Sequence, residues 1–320
     1  MTVKATVVMP TTLVIACLIG AAFFSPETCA AASAGKQQVY VTASLMDNKS
    51  LYIENLKTDE VQILENGIPQ KIELMVQEEI PTIYGLLFDR SLLEDDQSVN
   101  QRYLTGRISS AVAARDLAFD IIDKHLRQQR MWVASYDRRF HLELASTTDG
   151  FAAKDAITQM KFSRNLDGAF AYAGLYSAVM EMNECLERRR VIILFLDTLD
   201  QESTGKINQL YNLLSVSNVE LIVISFASKL SSNTGVPPAM SRGALSKLAQ
   251  ATAGEAYFWA DSGEHIEDIA RPIYNQIRTF YTFGFESEAP SDIKTELLIR
   301  CTRRGSKVKH HPFTPILSSR

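Results

Sequence analysis

The sequence predicts an α/β fold: a mostly parallel sheet flanked by helices, with a small β-sandwich-like unit formed by the N- and C-terminal segments. Two unbroken apolar runs, Ile83 to Phe88 and Val191 to Leu196, each end on an aspartate, Asp89 and Asp197. Six apolar residues in a row suit a strand buried on both faces by helices, as in parallel sheets. Between and after these runs, strand patterns alternate with helical ones, which is the signature of strand-helix-strand units. Both ends of the chain instead read as period-two β structure.

Taken in order, Gln38 to Leu45 alternates at period two and predicts a half-buried strand, closed by a turn at Asp47-Asn48-Lys49. Val61 to Leu74 holds Asn66-Gly67 between two strand patterns, a hairpin signal. Pro81 marks the change to the α/β pattern. The strand into Asp89 is followed by a predicted helix over 101–126, a hairpin from 131–136 to 141–144, and helices over 151–160 and 171–186. The Val191 strand, a helix over 207–215 and the strand Val219 to Phe226 continue the series. Residues 231–238, rich in turn formers, predict an exposed loop. A helix over 245–252 is expected to end at Gly254 as its C-cap. Glu255 to Trp259 reads as a short strand, 266–279 as a helix, and 281–285 with 294–301 as β structure that pairs with 38–79. The expected divisions are 1–34, 35–80, 81–280 and 281–320.

The N-terminus has Lys4, an apolar stretch from Thr12 to Phe24, and small residues through Ala34. Charge, apolar core and small-residue site in that order predict a secretory signal peptide cut between Ala30 and Ala34, hence a secreted or periplasmic protein. An uncleaved anchor is the alternative, and only then does the chain meet a membrane. After cleavage Cys185 and Cys301 remain, a pair that an oxidising compartment can bridge or leave as buried thiols. The net charge of -4 and pI near 5.8 offer no bulk attraction to nucleic acid. Glu187 to Arg190 reads as a charged helix end, and His310-His311 as a solvated tail.

Several segments together resemble a known family. Asn55 to Ile72, Asp89-Arg90-Ser91, Ala145 to Asp149, Gly168 to Val179, the strand into Asp197, Ala249 to Gly254 and Arg278 to Phe285 are similar in order and spacing to the von Willebrand factor A-related proteins of bacteria. That resemblance implies an integrin I-domain-like, Rossmann-like core. It also implies a metal-ion-dependent adhesion site, where hydroxyl and carboxylate oxygens hold magnesium and a partner's carboxylate completes the shell. On this chain Asp89 and Ser91 match the first aspartate and serine, and Asp197 the third-loop aspartate. Leu93 stands where the second serine belongs, and Ala169, or Phe170 with the register slipped by one, where the threonine belongs; none of these side chains offers an oxygen ligand. The site is therefore expected to be degenerate, with Asp89 and Asp197 persisting as loop-ordering carboxylates partnered by Arg90 or Ser91. Thr198 and Asp200 are the residues that would help hold residual magnesium.

The function implied is a non-enzymatic adhesion or scaffold module that binds a protein through the loops at the sheet's carboxyl edge, without tightly bound metal. The alternatives are metal-dependent adhesion through residual magnesium at Asp89, Ser91 and Asp197, and an aspartate-based phosphohydrolase. The last lacks its second acid, since Ser91 stands two residues after Asp89. No phosphate-binding Gly-Lys loop, nucleophile elbow, dinucleotide fingerprint or His-Glu-x-x-His motif is present. Glu94-Asp95-Asp96 adds negative charge after the Asp89 loop.

Overall fold

The computed structural model describes residues 36–49, 51–77, 80–92, 109–162, 170–197, 199, 201–226, 238–259, 266–290 and 293–314. The leader expected at 1–34 lies outside these.

At the centre is a six-stranded sheet. Strand β5 (Thr82–Asp89) is flanked by β6 (Arg130–Tyr136) and β8 (Arg189–Leu196), both parallel to it. Beyond β8 lie β9 (Glu220–Ser225) and β10 (Ala256–Phe258), also parallel, and beyond β6 the antiparallel edge strand β7 (Phe140–Thr147). All eight residues of β5 are buried, as its unbroken apolar run requires. Side chains of alternate parity supply two separate cores. On one face helices α1 (Ser110–His125), α2 (Gly150–Gln159) and α7 (Ile266–Arg278) cover Tyr84, Leu86 and Phe88. On the other α3 (Ala171–Asn183), α5 (Ile207–Val216) and α6 (Pro238–Gln250) cover Ile83, Leu87 and Leu194. The short helix α4 (Gln201–Gly205) precedes α5.

The two ends of the chain build a β-sandwich. One sheet runs β13 (Lys307–His310), β1 (Gln37–Met46), β11 (Tyr281–Ser287), β4 (Ile72–Gln77); the other runs β12 (Leu297–Cys301), β2 (Val61–Glu65), β3 (Ile68–Gln70). Asn66 and Gly67, at φ 48° and 80°, form the turn between β2 and β3, with both central residues in the left-handed region that such tight hairpins need. Val39, Val41, Ile63, Phe283, Phe285 and Ile299 fill the space between the sheets. Glu65 is buried with them, its carboxylate accepting from Ser287 Oγ at 2.8 Å and Thr295 Oγ1 at 2.7 Å.

Several expectations are corrected. The helix expected to end in a Gly254 cap starts earlier, at Pro238, and its left-handed residue is Ala253, at φ 65°. Gly254 is there for closeness: a Cβ on it would sit 1.9 Å from the Leu221 carbonyl oxygen of β9. The Arg188-Arg189-Arg190 run is no helix end, because α3 stops at Asn183 and Arg189 and Arg190 enter β8. Arg189 is buried, bonded to Glu220 at 2.7 Å and to the Ile277 carbonyl at 3.0 Å. His310 is no solvated tail either; it ends β13 and its Nε2 accepts from Ile299 N at 3.2 Å. The predicted helix over 101–126 is seen from Ser110, residues 101–108 lying outside the description, as does the loop expected at 231–237. Cys185 and Cys301 are both free thiols. They are not bridged, for they serve different cores: Cys185 packs against the α3 side of the main sheet and Cys301 against the sandwich.

Candidate functional site

The chain runs from β5 out to β6 and β7 on one side, then returns to β8 on the other side of β5. The carboxyl ends of β5 and β8 therefore flank the topological switch point, where open α/β sheets leave a crevice. Asp89 and Asp197 stand at those two ends.

Asp89 is only 2% exposed. Its Oδ1 accepts two hydrogen bonds from one residue, Ser91 N at 2.7 Å and Ser91 Oγ at 2.6 Å. Burial pushes its carboxyl up to about 7, against the Ser91 and Tyr136 hydrogen bonds, which pull it down, and with Asp197, which adds to the rise. Asp197 is half-buried, and its carbonyl accepts from Ser225 Oγ at 2.7 Å, which ties the end of β8 to β9. Beneath Asp89, Tyr136 packs on Gly174 of α3; a Cβ there would lie 2.5 Å from the ring.

Arg90 turns away from Asp89 to the opposite face of the sheet. Its guanidinium meets Ser135 Oγ at 2.8 Å, Glu143 at 2.8 Å and Asp137 at 3.4 Å. Ser135 Oγ also donates to Glu143 at 2.5 Å, and His141 Nε2 lies 3.0 Å from Asp137. This network joins the carboxyl ends of β5, β6 and β7 and is built for rigidity. Of the two partners expected for Asp89, the structure supplies Ser91 and assigns Arg90 elsewhere.

Helix α3 begins at the same edge. Its Phe170 cap offers no side-chain acceptor, so Ser203 of α4 fills the role, accepting from Tyr172 N at 2.7 Å. Sequence reasoning missed this cap because the acceptor is thirty-one residues away. Tyr172 stacks on Tyr176 at 6.2 Å between centroids, and Tyr176 and Met180 stand 44% and 45% exposed along the helix. The spacing of four puts the three side chains on one stripe.

Three oxygen-bearing side chains thus gather at the switch point, as expected, but they do not fit a tightly held divalent cation. Magnesium needs ionised or polar oxygens turned toward it. Asp89 is buried, its proton binds up to about pH 7, and its Oδ1 is already shared by two donors from Ser91. Among the described residues no group of three or more His, Cys, Asp or Glu side chains is placed to hold a metal ion. Leu93, Ala169, Thr198, Asp200 and Glu94-Asp95-Asp96 lie outside the described residues.

No protein-family model and no curated protein matches the chain. Solved structures do share its α/β trace. They include a von Willebrand factor type A protein from Catenulispora acidiphila, 11% identical over 88% of this chain and 74% of that one, with a TM-score of 0.46. Proximal thread matrix protein 1 from the mussel byssus, solved with a zinc-occupied MIDAS motif, is 14% identical over 67% of this chain, with a TM-score of 0.45. This chain spans 49% of that protein's length. BatB from Bacteroides thetaiotaomicron is 14% identical over 62% of this chain and 98% of its own, at a TM-score of 0.43. The α/β assignment itself rests on the strand order and connections above. Among the described residues, no helix is long and apolar enough to cross a membrane.

Proposed function

We propose that this chain is an exported, non-enzymatic protein-binding module that meets its partner at the carboxyl edge of the six-stranded sheet, without a tightly bound metal. The observation that carries the reading is the state of Asp89: buried, bonded to Ser91 through Oδ1 and pushed up to about 7. A phosphohydrolase nucleophile needs an ionised, reachable carboxylate, and a cation site needs the same. What the edge does present is the stripe of Tyr172, Tyr176 and Met180, and aromatic and methionine side chains are enriched where proteins bind proteins. Export rests on the Lys4, apolar and small-residue order of the first 34 residues.

The test uses residues 35–320, a compact unit by itself, immobilised and exposed to envelope and secreted proteins of its source. The expected result is a specific partner that Tyr176→Glu with Met180→Glu releases and Leu298→Glu, on the sandwich, retains. No retained protein, or equal retention by both variants, refutes the proposed face.

A further inference from the structure

Helix α7 links the two parts of the fold, for it covers one face of the main sheet and leads directly into β11 of the sandwich. Its far end is pinned by Arg189, whose guanidinium donates to the carbonyls of Gln276 at 3.4 Å and Ile277 at 3.0 Å. Its middle is held differently. Tyr274 of α7 stacks on His125, the last residue of α1, with centroids 4.1 Å apart and planes tilted by 34°. The Tyr274 hydroxyl also donates to Asp120 of α1.

His125 is unusual in this contact. Both of its ring nitrogens are buried and neither has a hydrogen-bond partner. A neutral imidazole tolerates that place as a flat ring against a ring. An imidazolium there would bring two N–H donors and a charge with no acceptor waiting, which is costly in a partly desolvated site. The charged groups facing it make matters worse. Arg278 of α7 and Lys124 of α1 are both cations, and the one carboxylate, Asp120, is engaged by Lys124 at 2.6 Å and by Tyr274.

We propose that His125 and Tyr274 form an acid-released clasp, in which protonation of the His125 imidazole loosens helix α7 from helix α1. The direction of the linkage follows from the geometry and agrees with the electrostatics: burial first, then Arg278, hold the imidazole below its ordinary 6.5. The released histidine takes up its proton at the higher pH, so release is favoured as pH falls below 6.5 and disfavoured above it. The clasp is closed at neutral pH and opens on mild acidification.

Hydrogen exchange on the full chain at about pH 7 and about pH 5, corrected for the intrinsic pH dependence of exchange, tests this. Protection of Ile266–Arg278 is expected to fall about tenfold more than that of strand β8 on going to the lower pH, a size set by the tenfold-per-pH-unit limit of a single proton. His125→Phe keeps the ring stack and removes the titration, so its α7 protection should hold; His125→Gln serves the same purpose if the Phe variant does not fold. Equal loss in parent and variant, no loss in the parent, or an NMR midpoint of His125 at or above 6.5 overturns the proposal.

Discussion

Replacing Asp89 by Asn should stabilise the chain at pH 8 and leave it unchanged near pH 4. The aspartate costs stability because folding raises its carboxyl from 3.8 to about 7, with burial as the main cause. An unfolded Asp89 loses its proton near 3.8, whereas the folded one keeps it until about 7. The folded state is therefore least penalised below pH 4, loses stability as pH rises between those values, and is flat above. At about 1.4 kcal/mol per pH unit, that gap sets a ceiling of about 4 kcal/mol. Asn removes the charge yet keeps an Oδ1 to accept from Ser91 N and Oγ, the two bonds of 2.7 and 2.6 Å. Its amide nitrogen then faces the Tyr136 hydroxyl, which can turn from donor to acceptor. Urea unfolding of parent and Asp89→Asn across this pH range is the assay. A gain of about 2 to 4 kcal/mol at pH 8 that vanishes near pH 4 is expected. Two results would refute the reasoning: a variant less stable than the parent at pH 8, or a parent whose midpoint rises with magnesium and falls with EDTA, since a bound cation would hold the carboxylate ionised.

Further outcomes follow from packing and pairing. Gly254→Ala should destabilise by about 3 kcal/mol or more, since its Cβ would meet the Leu221 carbonyl at 1.9 Å; Ala253→Gly, at the left-handed position beside it, should change stability by less than about 1 kcal/mol. Both are read by denaturant midpoints. Arg189→Met strands Glu220, half-buried and bonded to it at 2.7 Å, and should cost about 3 kcal/mol; adding Glu220→Gln should recover much of that in a double-mutant cycle. Glu65→Ala leaves the buried hydroxyls of Ser287 and Thr295 short of their acceptor and should cost about 2 kcal/mol, seen as a lower melting temperature.

The central sheet was legible because its strands carry period and burial in their own residues: Ile83 to Phe88 and Val191 to Leu196 are apolar throughout and are buried throughout. The Asn66-Gly67 turn was equally legible, its type being dictated by two residues. What escaped were features decided by distant partners. Strand β13 reads Lys-Val-Lys-His and carries too little apolar signal alone; it forms because Ala43 to Met46 of β1 offer it an edge. Arg189 looked like a surface cation because nothing nearby announces Glu220, thirty-one residues on. At the candidate site the residues themselves were found, since Asp89, Ser91 and Asp197 do converge on the switch point. Their bonding was not, because the choice of Ser91 over Arg90 as Asp89's partner depends on Ser135, Glu143 and Asp137 claiming the guanidinium.

The sandwich has a consequence for the order of events when the chain is made. β1 pairs with β11 and β2 with β12, Gln37 opposite Ser287 and Val61 opposite Cys301. Each partner is synthesised more than two hundred residues after the strand that needs it. The α/β body between them closes on more local contacts and can form first, as units emerging from a ribosome or a translocation channel do. Until the last forty residues arrive, β1, β2 and β4 are left with unpaired edges, the kind that recruit other chains. A chain cut short after α7 would therefore hold a finished body and an open sandwich, and aggregation from that end is how such truncation should show itself.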